Sequence, residues 1–441
     1  MKINISLLIF HTLSFLFITL SCDTTDPPII PPPPPILKDS ITVTITGAFH
    51  RSIEITIKTT DNNPNSVIEV YRQQNNANTL IAEYPIIISD TTITDDNNGN
   101  DLIIETDYSY YAVRKDSASE RKDTSNLVVT KTLAPTNFNY TWQEFSLGSG
   151  ENPNVLYSIW GTDENNVYAV GSVTINDTIY GVLRWNGSEW LLFSDKVGGY
   201  AIYGFSNSDI WVVGGGVFHF YGTEWKRVDS YTSNGQSIPL DQILFDNLPY
   251  TSVWGTSSDD LYLGSSGGTI VHWNGSTAQV VYTNPSIVQV KGMDGYASDF
   301  IIGVGTGMIP PLLAVKYNGT NWSQLPISSN WSLNAVSIVN RNHTFYAGDG
   351  IFEMKRNNFS QVLSPGFYSW NLSYNRKNGV IASSGDFDGV YINNGIEWRD
   401  YKGLITTDNT SYSGIFQINN YIFCVGSTGL GNKAKIIIGK N

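Results

Sequence analysis

The side chains with a claim to chemistry are few and scattered. Capture of a sugar carboxylate for hydrolysis needs converging arginines together with an acid, a Glu and a Tyr. Beyond residue 138 the arginines are Arg184, Arg227, Arg341, Arg356, Arg376 and Arg399. Most fall in outer strands or turns, so no such cluster assembles. A copper centre needs His, Tyr and Cys together. His219 and His272 instead share one repeated position with Arg184 and Lys316, which alternation turns toward solvent. Cys424 lies in the apolar run Phe423-Cys-Val425 and reads as core. No phosphate loop, Ser-His-Asp spacing or helical His motif is present. Acidic turns recur at Asp163-Glu164, Asp209, Asp259-Asp260 and Asp299, and turn chemistry accounts for them. The stretch from Thr94 to Glu105 has some calcium-loop spacing, but Thr stands where the first carboxylate belongs. Calcium is thus the one cofactor left open, and no other is expected.

Aromatic residues on links between repeated units point to binding instead. The longest link, 229–250, carries Tyr231. Others carry Trp331 and the run Phe367-Tyr368-Ser369-Trp370. Such rings stack on sugars or on peptide side chains. Tyr231, Trp331, Tyr368 and Trp370 are therefore the candidate ligand-binding residues, and the expected role is non-enzymatic binding of a glycan or protein ligand. The alternatives are a carbohydrate-active hydrolase or lyase, marked by a paired-carboxylate pocket, and a structural component of an envelope assembly.

Residues 138–441 must position those rings, and they are a repeat. One unit reads Ile159-Trp160-Gly161, then Val167-Tyr168-Ala-Val170-Gly171, then Trp185-Asn186-Gly187-Ser-Glu-Trp190. Tyr203-Gly204 with Trp225, Trp254-Gly255 with Asn274-Gly275, and Lys291-Gly292 with Asn318-Gly319 and Trp322 open the next three copies. Worn copies follow at Tyr346, Ile381 and Phe423. The period of three or four short strands is that of a propeller blade. Each Asn-Gly reads as a type I′ hairpin between third and fourth strands. The last copy lacks a fourth strand, and Tyr140-Thr-Trp142-Gln-Glu-Phe145 has the spacing to supply it. The outer positions Trp142, Trp190, Trp225, Ala278, Trp322, Phe359 and Trp398 count seven blades closed by that N-terminal strand. The units resemble those of exported bacterial propellers built on Trp-Gly and Asn-Gly repeats, and more distantly Asp-box and kelch-like propellers. That resemblance implies a fold and leaves function to the site.

Residues 38–135 alternate at Ile41-Val43-Ile45, Ile53-Ile55-Ile57 and Tyr108 to Val113, the period of half-buried strands. About seven strands in this length make a two-sheet, immunoglobulin-like sandwich. The run Leu102-Ile-Ile-Glu-Thr106-Asp-Tyr108 resembles the fibronectin type III pattern. The resemblance implies that the Tyr108 hydroxyl bonds back to the nearby backbone. The usual buried Trp is absent.

At the N-terminus, Lys2 and the apolar run from Ile5 to Leu20 end at Ser21-Cys22, in a stretch too short to span a membrane comfortably. Residues 1–22 resemble a bacterial lipoprotein signal, with Thr19 where Leu is usual, and the resemblance implies a lipid on Cys22. Residues 23–37 include Pro31 to Pro35, which force an extended rod of about 3.1 Å per residue. The expected product is a lipoprotein of the cell envelope, held at the outer membrane and cell surface by its lipid. A net charge of -13 opposes nucleic acid. Two cysteines exclude a disulfide scaffold. Nothing in the sequence sets an oligomeric state.

Overall fold

The structure is a computed structural model. It describes residues 41–441 apart from 61–65, 86–89, 117–121, 150–152, 232–236, 241–248, 308–312, 328–331, 365–367, 406 and 430, with backbone alone at 229–231 and 237–239. The expected signal, tether and Cys22 lie outside the described residues.

The chain folds as an immunoglobulin-like β-sandwich followed by a seven-bladed β-propeller. One sandwich sheet orders β1 (Ile41–Ala48), β2 (Ile53–Thr59) and β5 (Thr91–Asp95) side by side. The other runs β4 (Ala77–Pro85), β3 (Ser66–Gln74), β6 (Asp107–Asp116) and β7 (Lys122–Thr124), with β8 (Val128–Lys131) also on β6. The alternating residues meet between the sheets: Val43, Ile55, Ile57, Ile68, Val70 and Tyr110 are fully buried. The Tyr108 hydroxyl accepts the Ile103 N–H at 3.0 Å, tying the strand to the turn before it.

Each blade is a four-stranded antiparallel sheet in chain order. Blade 1 is Val155–Asp163, Asn166–Ile175, Thr178–Trp185 and Trp190–Ser194. The inner strands of blades 2 to 6 are Ala201–Ser206, Tyr250–Ser257, Ile287–Ala297, Leu333–Asn340 and Ser369–Tyr374. Blade 7 has Ser411–Ile418, Tyr421–Ser427 and Ala434–Lys440, and its fourth strand is β9, Thr141–Leu147. The register runs from Lys440 opposite Thr141 to Ala434 opposite Leu147. Neighbouring inner strands pack in sequence and the seventh returns to the first, so the ring is closed.

Register corrects two expectations. The Asn-Gly turns are not type I′, which needs positive φ at both central residues. Only the glycines, such as Gly187 at φ 95 and Gly275 at φ 89, take it. The Asn186 side chain instead accepts the N–H of Ser188 and of Glu189, each at 2.9 Å, closing a four-residue loop. Asn318 does the same for Thr320 and Asn321. Two-residue hairpins with both φ positive occur elsewhere, at Asn75-Asn76 and Asn176-Asp177. Second, blade 4 carries Asp294-Gly295 where blades 1 to 3 carry Trp160-Gly161, Tyr203-Gly204 and Trp254-Gly255. Asp294 pairs with Ile302 as Trp254 pairs with Tyr262. Lys291-Gly292 lies three residues upstream, in the place of Tyr157-Ser158 of blade 1, at the bulge that both inner strands carry.

The repeated basic position is also explained, and it does not face solvent uniformly. His219 is 6% exposed and lies flat on Trp211, with ring centroids 4.3 Å apart. Its Nε2 meets Asp209 at 2.7 Å, and His272 repeats the pattern on Tyr262 with Asp260. Burial lowers the His219 pKa, against the Asp209 carboxylate, which raises it. Asp209 and Asp260 thus serve the basic residues of their own blades, whereas Asp163 accepts from Asn165 and Asn166 of its own turn and Asp299 pairs with Arg341 of blade 5. The calcium-like turn is likewise used up. Asp95 accepts from Arg72 and Tyr110, while Asp96 caps Gly99 and pairs with Arg356 of the propeller. These carboxylates point to separate partners and do not fit a shared cation.

Candidate functional site at the channel mouth

A central channel of about 780 Å³ runs between the inner strands. In blade 1 an extra residue, Tyr157, interrupts the register between Leu156 and Ser158. The same bulge recurs at Thr251, Lys291, Asn334, Trp370 and Ser413. In blade 2 the matching residue is Tyr200, whose N–H still bonds Val213. A bulge re-aims one side chain out of the alternating pattern. Here all seven line the channel. They form a ring at the end where links between blades enter the inner strands.

The ring has an aromatic arc and a polar arc. Tyr157 and Tyr200 touch edge to face at 5.2 Å and are 38% and 45% exposed. Three polar members bond across the seam to the next blade: Thr251 to the Val290 carbonyl, Asn334 to that of Ser369 and Ser413 to that of Leu156. The Lys291 ammonium donates to Asn334 Oδ1 at 2.8 Å and stands 5.6 Å from the Trp370 ring centroid. Burial lowers its pKa, against Asp349, which raises it. Trp370 is pinned by its indole N–H on Asp386 at 2.7 Å, and Asp386 also accepts from Ser411. Tyr368 stacks on Trp370 at 6.0 Å and is 48% exposed. The next loop presents Phe387, 54% exposed, at φ 56. A bulky residue in that conformation is strained. Asp388 holds the loop by accepting the N–H of Asn409 and Thr410.

Of the candidate residues, Tyr368 and Trp370 therefore come together at the mouth. Tyr231 pairs with Ser237 in a two-stranded ladder within the blade 2–3 link. Trp331 lies outside the described residues. Sequence reasoning missed Tyr157, Tyr200, Lys291 and Phe387. A usable signal existed for two of them, Tyr157 and Tyr200, which stand three residues before Trp160 and Tyr203; Lys291 stands three before Asp294, whose place only strand pairing shows. Phe387 had none, because its exposure follows from loop conformation.

Deeper in the channel, Asp294 accepts the N–H of Gly295 at 2.8 Å and of Ile338, in the next blade, at 2.7 Å. Its enclosure pushes its pKa up to about 6, against these bonds and Arg376, which lower it. Asp294 is the one carboxylate among the described lining residues. The arginines do not converge: Arg184 bonds Asn166, Arg341 pairs with Asp299, Arg356 with Asp96, and Arg376 covers Tyr296.

The sandwich docks at the opposite end, on blades 4, 5 and 6. Asn340 donates to Ser52 at 3.0 Å, Lys355 meets Asp101 at 3.3 Å, and Tyr296 donates to Glu54. None of these contacts reaches the link-rich mouth.

Fold and site together define a seven-bladed propeller with a bulge-lined channel mouth and a docked immunoglobulin-like domain. No protein-family model matches the chain, and no curated protein matches it significantly. Among solved structures it is similar to YCF48 bound to a D1 peptide, at 14% identity and TM-score 0.50 over 70% of this chain and 100% of that one. Two others are a computationally designed protein, Ika8, and a protein of unknown function from Bacteroides thetaiotaomicron VPI-5482. The first shares 12% identity at TM-score 0.42, over 66% of this chain and 98% of that one. The second shares 8% at TM-score 0.38, over 90% and 98%. At these identities the likeness is one of fold.

Proposed function

We propose that this chain is a binding protein of the bacterial envelope, anchored by a lipid on Cys22 and spaced by residues 23–37, that takes a polypeptide segment at the bulge-ring mouth. The bulge ring carries the reading. Six bulged strands, and Tyr200 just before the seventh, each turn one side chain toward the same opening, which brings Tyr157, Tyr200, Trp370 and the Lys291 ammonium around it. Among the described residues Lys291 meets no carboxylate within ion-pair distance, so an acidic side chain or chain terminus of a ligand has a counter-charge waiting. Among the described lining residues the single carboxylate, Asp294, supports binding over glycoside hydrolysis, which works through a pair. In YCF48 a related fold holds a peptide. A glycan is the second reading, favoured by the exposed Tyr157–Tyr200 pair, which suits sugar stacking.

The test is a peptide library and a glycan array probed with residues 23–441. Trp370→Ala and Lys291→Ala should each weaken peptide hits at least tenfold. If neither changes any hit, the mouth is the wrong surface. If glycans alone bind and Trp370→Ala removes them, the second reading stands. Anchoring is checked separately by metabolic fatty-acid labelling, which Cys22→Ala should abolish.

A further inference from the structure

Below the mouth ring the channel has a second one. Three residues beyond each member of the first stand Trp160, Tyr203, Trp254 and Phe416 in blades 1, 2, 3 and 7, and Asp294, Ser337 and Ser373 in blades 4 to 6. The rise of an extended strand puts this level about 10 Å below the first. Aromatic rings fill four neighbouring blades, and polar side chains fill the other three.

Asp294 is the charged member of this ring, and its place does not require a charge. It bonds the Ile338 N–H and so holds the seam to blade 5. A neutral serine fills the same position in each of the next two blades. Burying a carboxylate without a counter-charge is costly. Among the described residues the partners of Asp294 are the N–H groups of Gly295 and Ile338, and no cation stands within ion-pair distance. Arg376 acts on it only through space, because its guanidinium rests on the Tyr296 ring, 4.6 Å from the centroid. Asp294 is partly exposed, and the space it borders is the channel. Two aromatic residues flank it. The Trp254 indole covers Gly295, the next residue, where a Cβ would stand 2.2 Å from Trp254 Cζ2. Tyr203, whose pKa burial raises to about 12, is close enough for the Asp294 charge to raise it as well. A carboxylate beside aromatic faces is the chemistry that holds an ammonium.

We infer, resting on the peptide reading of the mouth, that Asp294 is a deeper subsite of the same channel and takes a lysine ammonium of the bound polypeptide, while an acidic group of that ligand meets Lys291. Lys291 and Asp294 stand on one strand with opposite charge, one at each ring. A ligand that satisfies both presents its carboxylate at the opening and its ammonium below. A lysine stem suits the lower half, because its methylenes pass along apolar rings while the charge stays at a polar partner.

The test uses ¹⁵N spectra of residues 23–441 and three probes. Nα-acetyl-L-lysine carries a carboxylate and a side-chain ammonium, Nα-acetyl-L-norleucine lacks the ammonium, and L-norleucinamide carries only the ammonium of a chain N-terminus. The lysine probe should shift the Gly295 and Ile338 amide resonances and bind at least tenfold more tightly than acetylnorleucine. Asp294→Asn keeps an acceptor for the Ile338 N–H and should erase that preference. Lys291→Ala should weaken both acetylated probes and keep their ratio. The inference is overturned if the acetylated probes bind the parent alike, or if neither moves Gly295 or Ile338. It is overturned too if L-norleucinamide gives the larger shift, or if Asp294→Asn lowers the melting temperature yet keeps the preference, which would leave Asp294 only the seam to hold. Should that variant not fold, the comparison of probes on the parent decides. Failure of the mouth itself reads differently: Lys291→Ala and Trp370→Ala would then leave both acetylated probes unaffected.

Discussion

The indole of Trp160, in blade 1, lies over the backbone of Gly204 in blade 2, so closely that a Cβ there would stand 2.7 Å from Trp160 Cη2. Trp254 covers Gly295 of blade 4 in the same way. The Trp-Gly pair is thus a latch whose two halves serve different seams: the Trp reaches forward, and the Gly makes room for the Trp behind. Gly204→Ala should overpack the seam and cost about 1–3 kcal/mol. Thermal unfolding measures it, and an unchanged melting temperature would show that the indole yields freely.

Closure by β9 makes a second prediction. Deleting residues 138–147 removes the seven-residue ladder on Ala434–Lys440. It also removes Trp142, which packs on the core of blades 6 and 7, and Phe145 and Leu147, which pack on that of blades 7 and 1. At about 1.5–3 kcal/mol for each large side chain, the loss is on the order of 5 kcal/mol. The truncated chain should melt earlier than the parent. A ring that unfolds no more easily would show that closure adds nothing.

His50 makes the domain contact sensitive to acid. Its ring is wedged against Gly379 and Gly395 of blade 6, where φ is positive and a Cβ would collide with it. Burial lowers its pKa from 6.5, with a smaller contribution from Arg51 and against the Ala134 backbone bond, which raises it. The unfolded chain then binds the proton first. This contribution to stability is complete above about pH 6.5 and is lost as pH falls toward the lower folded value. His50→Phe should flatten that part of the stability profile, as read by denaturant unfolding between pH 7 and 5.

Asp294 acts with the opposite sign. Its folded pKa of about 6 stands above the 3.8 of an ordinary carboxyl. The folded state holds the proton longer, so stability rises as pH falls from above 6 toward 3.8. Carboxyl-resolved NMR titration should find the Asp294 midpoint near 6. A midpoint near 4 would mean that water and the two N–H donors solvate the carboxylate fully.

The strands, the seven-fold repeat and the late strand supplied by Trp142 and Phe145 were legible because alternation and spacing are local properties. The blade 4 misalignment shows the limit. Lys291-Gly292 imitates Trp160-Gly161 as text, and only the pairing of Asp294 with Ile302 shows that Asp294 stands in the place of Trp160. The Asn-Gly turns show it again, since dipeptide identity does not say whether Asn186 spends its side chain on the two N–H groups ahead of it.

The sequence by itself determined an all-β chain of two domains and its candidate aromatic links, because burial in sheets imposes a period of two and a blade imposes a repeat. It placed Tyr368 and Trp370 on a link between blades. Tertiary structure alone decided that Tyr157, Tyr200 and Lys291 share their ring, and that Phe49 and His50 bind the sandwich to blades 5 and 6. Each depends on residues far apart in the chain meeting across a seam, and packing at a seam is set by the shapes on both sides.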